Sequence, residues 1–233
     1  MRKDQTRRSY RHELKFYITA GDYALLSRRL SRCMDRDKNA DEYGNYFIRS
    51  LYFDDLEDSA FREKLDGVDS RDKYRIRIYN LSDDVIKLER KHKEGQYILK
   101  ESASLSRKEC DLLISGDPSF LLRRDDLFSK QMYARFVTRR LLPRVIVDYT
   151  REAYIYPYED VRVTFDKQVK TGFRAVDIFD GGFPTYPALD GYGTVLEIKF
   201  NRNLPLHIRA LLQIDSHARS AISKYCLCRR YEL

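Results

Sequence analysis

The sequence predicts an α+β fold: an eight-stranded antiparallel β-barrel with helices packed outside it. Three observations predict it. Several short segments alternate charged and apolar residues with period two, as strands with one polar and one apolar face do. Three of these segments follow one another across very short turns, the mark of an antiparallel meander. The chain also lacks a repeated strand–helix–strand rhythm, a glycine-rich dinucleotide fingerprint and a phosphate-binding P-loop, so a doubly wound parallel sheet does not fit. Its 233 residues suffice for one substantial core and are read as a single domain, 1–233.

Leu14-Lys15-Phe16-Tyr17-Ile18 alternates and reads as the first strand. Leu14, Phe16 and Ile18 share one face; Arg11, Glu13, Lys15 and Tyr17 share the other. Thr19 or Asp22 caps a helix through about Cys33, with Ala24, Leu25, Leu26 and Leu30 apolar. Residues 35–45 are polar, contain Gly44 and form a loop. Tyr46 to Phe53 is the second strand, and Asp54 or Asp55 caps a short helix ending near Gly67. Residues 73–79, 85–91 and 97–101 form the meander, through Ser82-Asp83-Asp84 and Glu94-Gly95. Residues 106–116 and 119–140 read as helices, with Pro118 starting the second. Pro143 marks the return to strand, and residues 145–156 and 161–169 form a long hairpin. A Gly- and Pro-rich loop spans 171–193, a last strand 195–200, and a helix 204–228.

Collected together, the polar faces carry Glu13 and Lys15; Lys73, Arg75 and Arg77; Lys87, Glu89 and Lys91; Lys100; Arg151; Arg162, Thr164 and Asp166; and Glu197 and Lys199. A single half-buried strand puts such residues in water. The set asks for more. Outer helices with apolar stripes must cover the apolar strand faces, so in a closed sheet the charges point inward. Two like charges about 8 Å apart repel by roughly 2 kcal/mol at an effective dielectric near 20. Many such pairs exceed a stability margin of about 5–15 kcal/mol. A wet interior awaiting a polyanion resolves the conflict, and phosphate chains fit Arg and Lys.

The net charge of +8 and pI of about 9.2 agree with an anionic partner. Nucleic acid is disfavoured, because arginines stand where aromatic stacking platforms would be needed. The carboxylates Glu13, Glu89, Asp166 and Glu197 serve as counter-ions or as a Mg²⁺ or Mn²⁺ site. Four cysteines without a CxxC pair read as reduced thiols in a cytoplasmic setting. No apolar run of about 18 residues predicts a membrane span. His12, His92, His207 and His217 lack a metal-binding spacing. Tyr79 and Tyr97 are read as sheet packing rather than base-stacking residues, and Arg123-Arg124 and Arg139-Arg140 as solvated helix faces.

The stretches Tyr10–Phe16, Ser50–Asp54, Lys73–Tyr79, Leu88–Lys91, Asp148–Arg151, Val161–Asp166 and Leu196–Lys199 carry a resemblance running nearly end to end. The chain resembles the VTC domain, a polyphosphate polymerase domain of the triphosphate tunnel metalloenzymes, which also include CYTH proteins and RNA triphosphatases. The resemblance implies a tunnel of eight antiparallel strands that takes ATP or another triphosphate, or polyphosphate. It implies phosphate ligands at Lys15, Arg75, Arg77, Lys91, Arg151, Arg162 and Lys199, with Lys64, Lys100, Ser223 and Lys224 beside them. Arg75, Arg77, Lys91, Arg151 and Arg162 would act in catalysis. Glu197, with Glu13, would hold Mn²⁺ or Mg²⁺. Where the wider superfamily often has Glu-x-Glu-x-Lys, this chain has Arg11-His12-Glu13-Leu14-Lys15, one acid fewer, which fits the VTC branch better than a hydrolase built on two acids. A triphosphatase and a non-catalytic polyphosphate-binding module are the alternative functions.

Overall fold

Alternation of charged and apolar residues resolves into one ten-stranded antiparallel sheet in the computed structural model, which describes residues 12–95, 97–189, 193–212 and 219–232. The long strands are β1 (His12–Ile18), β3 (Asn45–Asp54), β4 (Ser70–Tyr79), β5 (Ser82–Glu94), β6 (Tyr97–Leu105), β7 (Leu142–Tyr156), β8 (Val161–Thr171) and β10 (Thr194–Phe200). Two short strands, β2 (Asp35–Arg36) and β9 (Tyr186–Pro187), lie in the segments expected to be loops, pairing with β7 and β8. The main order is β1-β10-β8-β7-β3-β4-β5-β6.

No backbone ladder joins the two ends of that path among the described residues, so the expected closed eight-stranded barrel is instead an open, strongly rolled sheet. The roll is deep. Lys91 Nζ on β5 donates to Glu13 Oε2 on β1 at 2.9 Å, so the next-to-last strand faces the first. Register shifts near Tyr52, Arg77 and Asp148 supply local bends. The other edge of β1 is occupied by a later segment. Phe16 bridges to Arg219, and the Ser220 N–H donates to the Lys15 carbonyl at 3.0 Å.

The outer face of the sheet is mainly apolar and covered largely by helices. Tyr74, Ile76, Ile78 and Leu88 pack beneath α3 (Arg107–Ile114), α4 (Ser119–Leu122) and α5 (Leu127–Thr138). Phe16, Phe165, Leu196 and Ile198 pack beneath α1 (Ala20–Leu30) and α6 (Leu206–Leu212). Each fully buried aliphatic side chain contributes about 1.5–3 kcal/mol. Lys73, Arg75 and Arg77 are thereby fixed facing inward, because their strand neighbours are held outward.

Helix boundaries follow the capping residues. Thr19 and Asp22 form a reciprocal capping box on α1, and Ser106 and Glu109 form another on α3. On α2 (Ser59–Leu65) the cap position is Asp58, yet Asp54 and Asp55 accept the free backbone N–H groups of Ala60, Phe61 and Ser59. The helix expected over 119–140 breaks in two, because Asp126 accepts the Ser129 N–H and starts α5 afresh. The helix expected over 204–228 likewise divides into α6 and α7 (Lys224–Arg229), with Arg219 in an extended bridge between them. Tyr10, Arg11 and His217 lie outside the described residues. Among those described, no helix is long and apolar enough to cross a membrane.

Candidate functional site

The interior of the roll divides into two halves. In one, Ile48, Tyr52, Val145 and Val147 from β3 and β7 form an apolar floor. It is covered by Tyr225 and Cys228 of α7 and by Phe61 of α2. This half carries few charges, because β3 and β7 present mostly apolar residues on their inner faces. In the other half, the charged faces of β1, β4, β5, β6, β7, β8 and β10 converge.

Four inner carboxylates organise the cations. Glu89 is held by Arg75 at 2.6 Å, Lys100 at 2.5 Å and Arg77 at 3.9 Å. Glu13 pairs with Lys15 at 2.8 Å and Lys91 at 2.9 Å. Glu197 meets Lys199 at 3.0 Å, Lys15 at 3.5 Å and Arg151 at 3.6 Å. Asp166 takes Arg151 Nε at 2.6 Å and the Lys224 ammonium. Arg162 turns to Asp37 and the Tyr46 hydroxyl. Thirteen residues were expected in this site, and the structure brings twelve of them together. The thirteenth, Lys64, stands half-buried on α2 beside a groove of about 300 Å³ lined by Tyr17, Ile222, Ser223 and Cys226.

Each carboxylate serves two or three cations, and the titration behaviour follows from that. Burial would raise the Glu89 carboxyl, but Arg75, Arg77 and Lys100 outweigh it and hold it far below the usual range. Glu197 is likewise held far down by Lys199 and Lys15 against burial. Asp166 is held at about 2, where Arg151 and Lys224 overcome burial. The lysines divide. Burial works against Lys15, but Glu197 and Glu13 more than compensate and raise it. Burial pulls Lys91 down to about 8 and lowers Lys100 and Lys64.

Sequence reasoning missed several lining residues. Tyr149 touches Arg77 at 3.3 Å through its hydroxyl, with Arg151 and Lys224 near its ring. Arg151 and Arg77 lower its pKa despite complete burial. The Tyr52 hydroxyl accepts from Arg75 at 2.8 Å. Tyrosines in strands read as packing, so only the charge alternation of neighbouring strands could have pointed to them. Lys73 also faces inward, donating to Ser223 Oγ at 2.6 Å. His92, by contrast, lies on the outer face, bonded to Asp72 at 2.9 Å. Tyr79 packs against the apolar half of the interior, and Tyr97 is exposed on β6.

Among the described residues no three metal-ligating side chains cluster. Glu13 and Glu197 nevertheless lie within hydrogen-bonding reach of each other. Two carboxylates fit a Mg²⁺ or Mn²⁺ ion that fills its other positions with phosphate oxygens and water.

Known proteins share this architecture. A Hippeastrum protein, described as an adenylyl cyclase candidate with a dominant triphosphatase activity, superposes with a TM-score of 0.56 at 14% identity, covering 97% of each chain. A candidate adenylate cyclase from Bacillus halodurans gives 0.53 at 13% identity, covering 92% of this chain and 94% of that one. No protein of curated function matches the chain. The model of the VTC domain matches residues 10–232. With the family's pattern spanning almost all of the chain, the chain belongs to the VTC domain family.

Proposed function

We propose that the chain forms a single domain that binds a nucleoside triphosphate or polyphosphate in this hollow. With a divalent metal, it transfers the γ-phosphoryl group to a growing polyphosphate chain. One observation carries the reading: cations from six strands and α7 share a smaller number of carboxylates in one buried space, so the wall keeps a positive excess. That excess is costly without an anion and favourable with one.

Arg75, Arg77, Lys91, Arg151 and Arg162 would grip the transferring phosphoryl group. Guanidinium forks match phosphate oxygens two at a time. Lys15, Lys64, Lys100, Lys199, Ser223 and Lys224 would hold the rest of the chain. As phosphate oxygens enter, the cations exchange shared carboxylate partners for the ligand and stay in place, which is the preorganisation that stabilises developing charge. Glu197 with Glu13 would hold Mn²⁺ or Mg²⁺, whose chemistry is to neutralise phosphate charge and align the in-line attack. No protein nucleophile is needed.

The activity described for the Hippeastrum protein supports a second reading in which water is the acceptor and the site is a triphosphatase. Incubation with ATP and Mn²⁺, followed by ³¹P NMR, separates the cases. Chain-phosphate resonances are expected. Free phosphate alone assigns the triphosphatase, and neither product leaves a binding module.

A further inference from the structure

Lys73, like Lys64 at the edge of the hollow, differs from the other cations placed there. From Lys15 on β1 to Lys224 on α7, each of those has a carboxylate within ion-pair distance. Lys73 has none among the described residues. Its ammonium nitrogen donates to the neutral Ser223 hydroxyl at 2.6 Å and lies 5.5 Å from the centre of the Tyr225 ring. The charged groups facing it are Lys15 from β1, Lys91 from β5 and Lys64 from α2. The ionised form of Cys226 on α7 would favour its charge. A half-buried cation ringed by cations is disfavoured as a cation.

We propose that Lys73 is a phosphate-chain ligand that is only partly protonated in the free protein and takes up a proton together with the polyanion, so that triphosphate binding and proton uptake are one event. This deepens the function proposed above and rests on it. Burial first, and then the three lysines, pull Lys73 down to about 7. A phosphate group arriving beside it reverses the sign of the local field and restores the charge. Lys73 then adds a contact whose strength is set by pH, unlike the permanently charged Arg75 and Arg77 on the same strand face.

The test is calorimetric titration of the full chain with inorganic triphosphate at pH 8, in buffers of different ionisation enthalpy. At that pH about nine-tenths of a group titrating near 7 is uncharged. The wild type is expected to take up about one proton more than Lys73→Arg, because an arginine there stays charged. Between pH 7 and 8 its affinity should fall up to about tenfold relative to that variant. A second measurement follows Lys73 directly in protein labelled with ¹³C,¹⁵N-lysine, its signal assigned by loss in Lys73→Met. Its titration midpoint should rise by more than about two pH units when triphosphate saturates the protein. Binding with equal proton uptake in wild type and Lys73→Arg, or an unmoved midpoint, overturns the role of Lys73 while leaving the function standing. No binding of triphosphate by any of the proteins overturns both.

Discussion

Two buried arginine–carboxylate systems lie on opposite faces of the sheet and behave oppositely. On the outer face, Arg49 binds Asp148 through two bonds of 2.9 and 2.8 Å, with its remaining donors on the Ile178 and Asp180 carbonyls. Arg49 is the one cation bonded to this acid, and burial outweighs Arg49 and the more distant Lys170 enough to raise the Asp148 carboxyl. On the inner face, one acid, Glu89, answers three cations and is held far below its usual range. The outer pair is self-sufficient and pins the loop carrying Ile178 and Asp180. The inner group has three cations to one acid, a shortfall that an anionic guest would make good under the proposed function.

The comparison is sharpest under mutation. Glu89→Gln leaves three inner cations without their acid, and Arg49→Ala strands Asp148. Each is expected to cost about 3–5 kcal/mol, since removing one partner exposes the other's desolvation. For a chain this size that lowers Tm by roughly 10 °C. Triphosphate at about 100 times its Kd adds roughly 2.7 kcal/mol to wild type and to Arg49→Ala. It should add more to Glu89→Gln, whose unbalanced cations gain most. Equal ligand-induced shifts in the two variants would break the contrast. Monophosphate should shift all three proteins little.

Next in size, Glu197→Gln should lose about 100-fold or more in metal-dependent turnover, because several kcal/mol of charge stabilisation depend on the ion. It should keep triphosphate binding, read by the same thermal shift. Full turnover in that variant would remove Glu197 from the metal role.

Acid follows. Glu89, Glu197 and Asp166 all have folded-state values depressed below those of the unfolded chain. Their stabilisation is therefore complete above the unfolded carboxylate range near pH 4 and is lost as pH falls toward the folded values. Chemical denaturation between pH 5 and 2 should show a steep loss in wild type and a shallower one in Glu89→Gln. The smallest effect belongs to the surface. Arg107 and Asp111 are paired at 3.1 Å one helical turn apart but roughly half exposed. Arg107→Ala should change stability by less than about 1 kcal/mol and leave triphosphate binding untouched.

How much of this was legible depends on whether the signal is local. Lys73-Tyr74-Arg75-Ile76-Arg77 declares its two faces because strand side chains alternate. Thr19 and Asp22 declare a helix start because the capping partners are three residues apart. The break at Asp126 was missed because the apolar pattern continues across it while the cap overrides it. Closure was misjudged because alternation reveals which face is wet but not whether the edge strands meet. Arg162 finds Asp37 across 125 residues, a partnership no window along the chain contains. Tyr149 and Tyr52 escaped notice because a phenol serves packing and polar contact equally well.

The Lys15 ammonium also donates to the Ile222 carbonyl, a contact between residues 207 positions apart. Chain entropy makes such closures late steps in folding. A polypeptide emerging from a ribosome therefore carries most of the proposed binding wall before the segment that seals it. Shortened products ending before Ser223 would keep the outer core and many of the arginines but lack the segment that seals the cavity. The proposed competence for ligand thus waits on that sealing segment, by which point the surrounding scaffold is already in place.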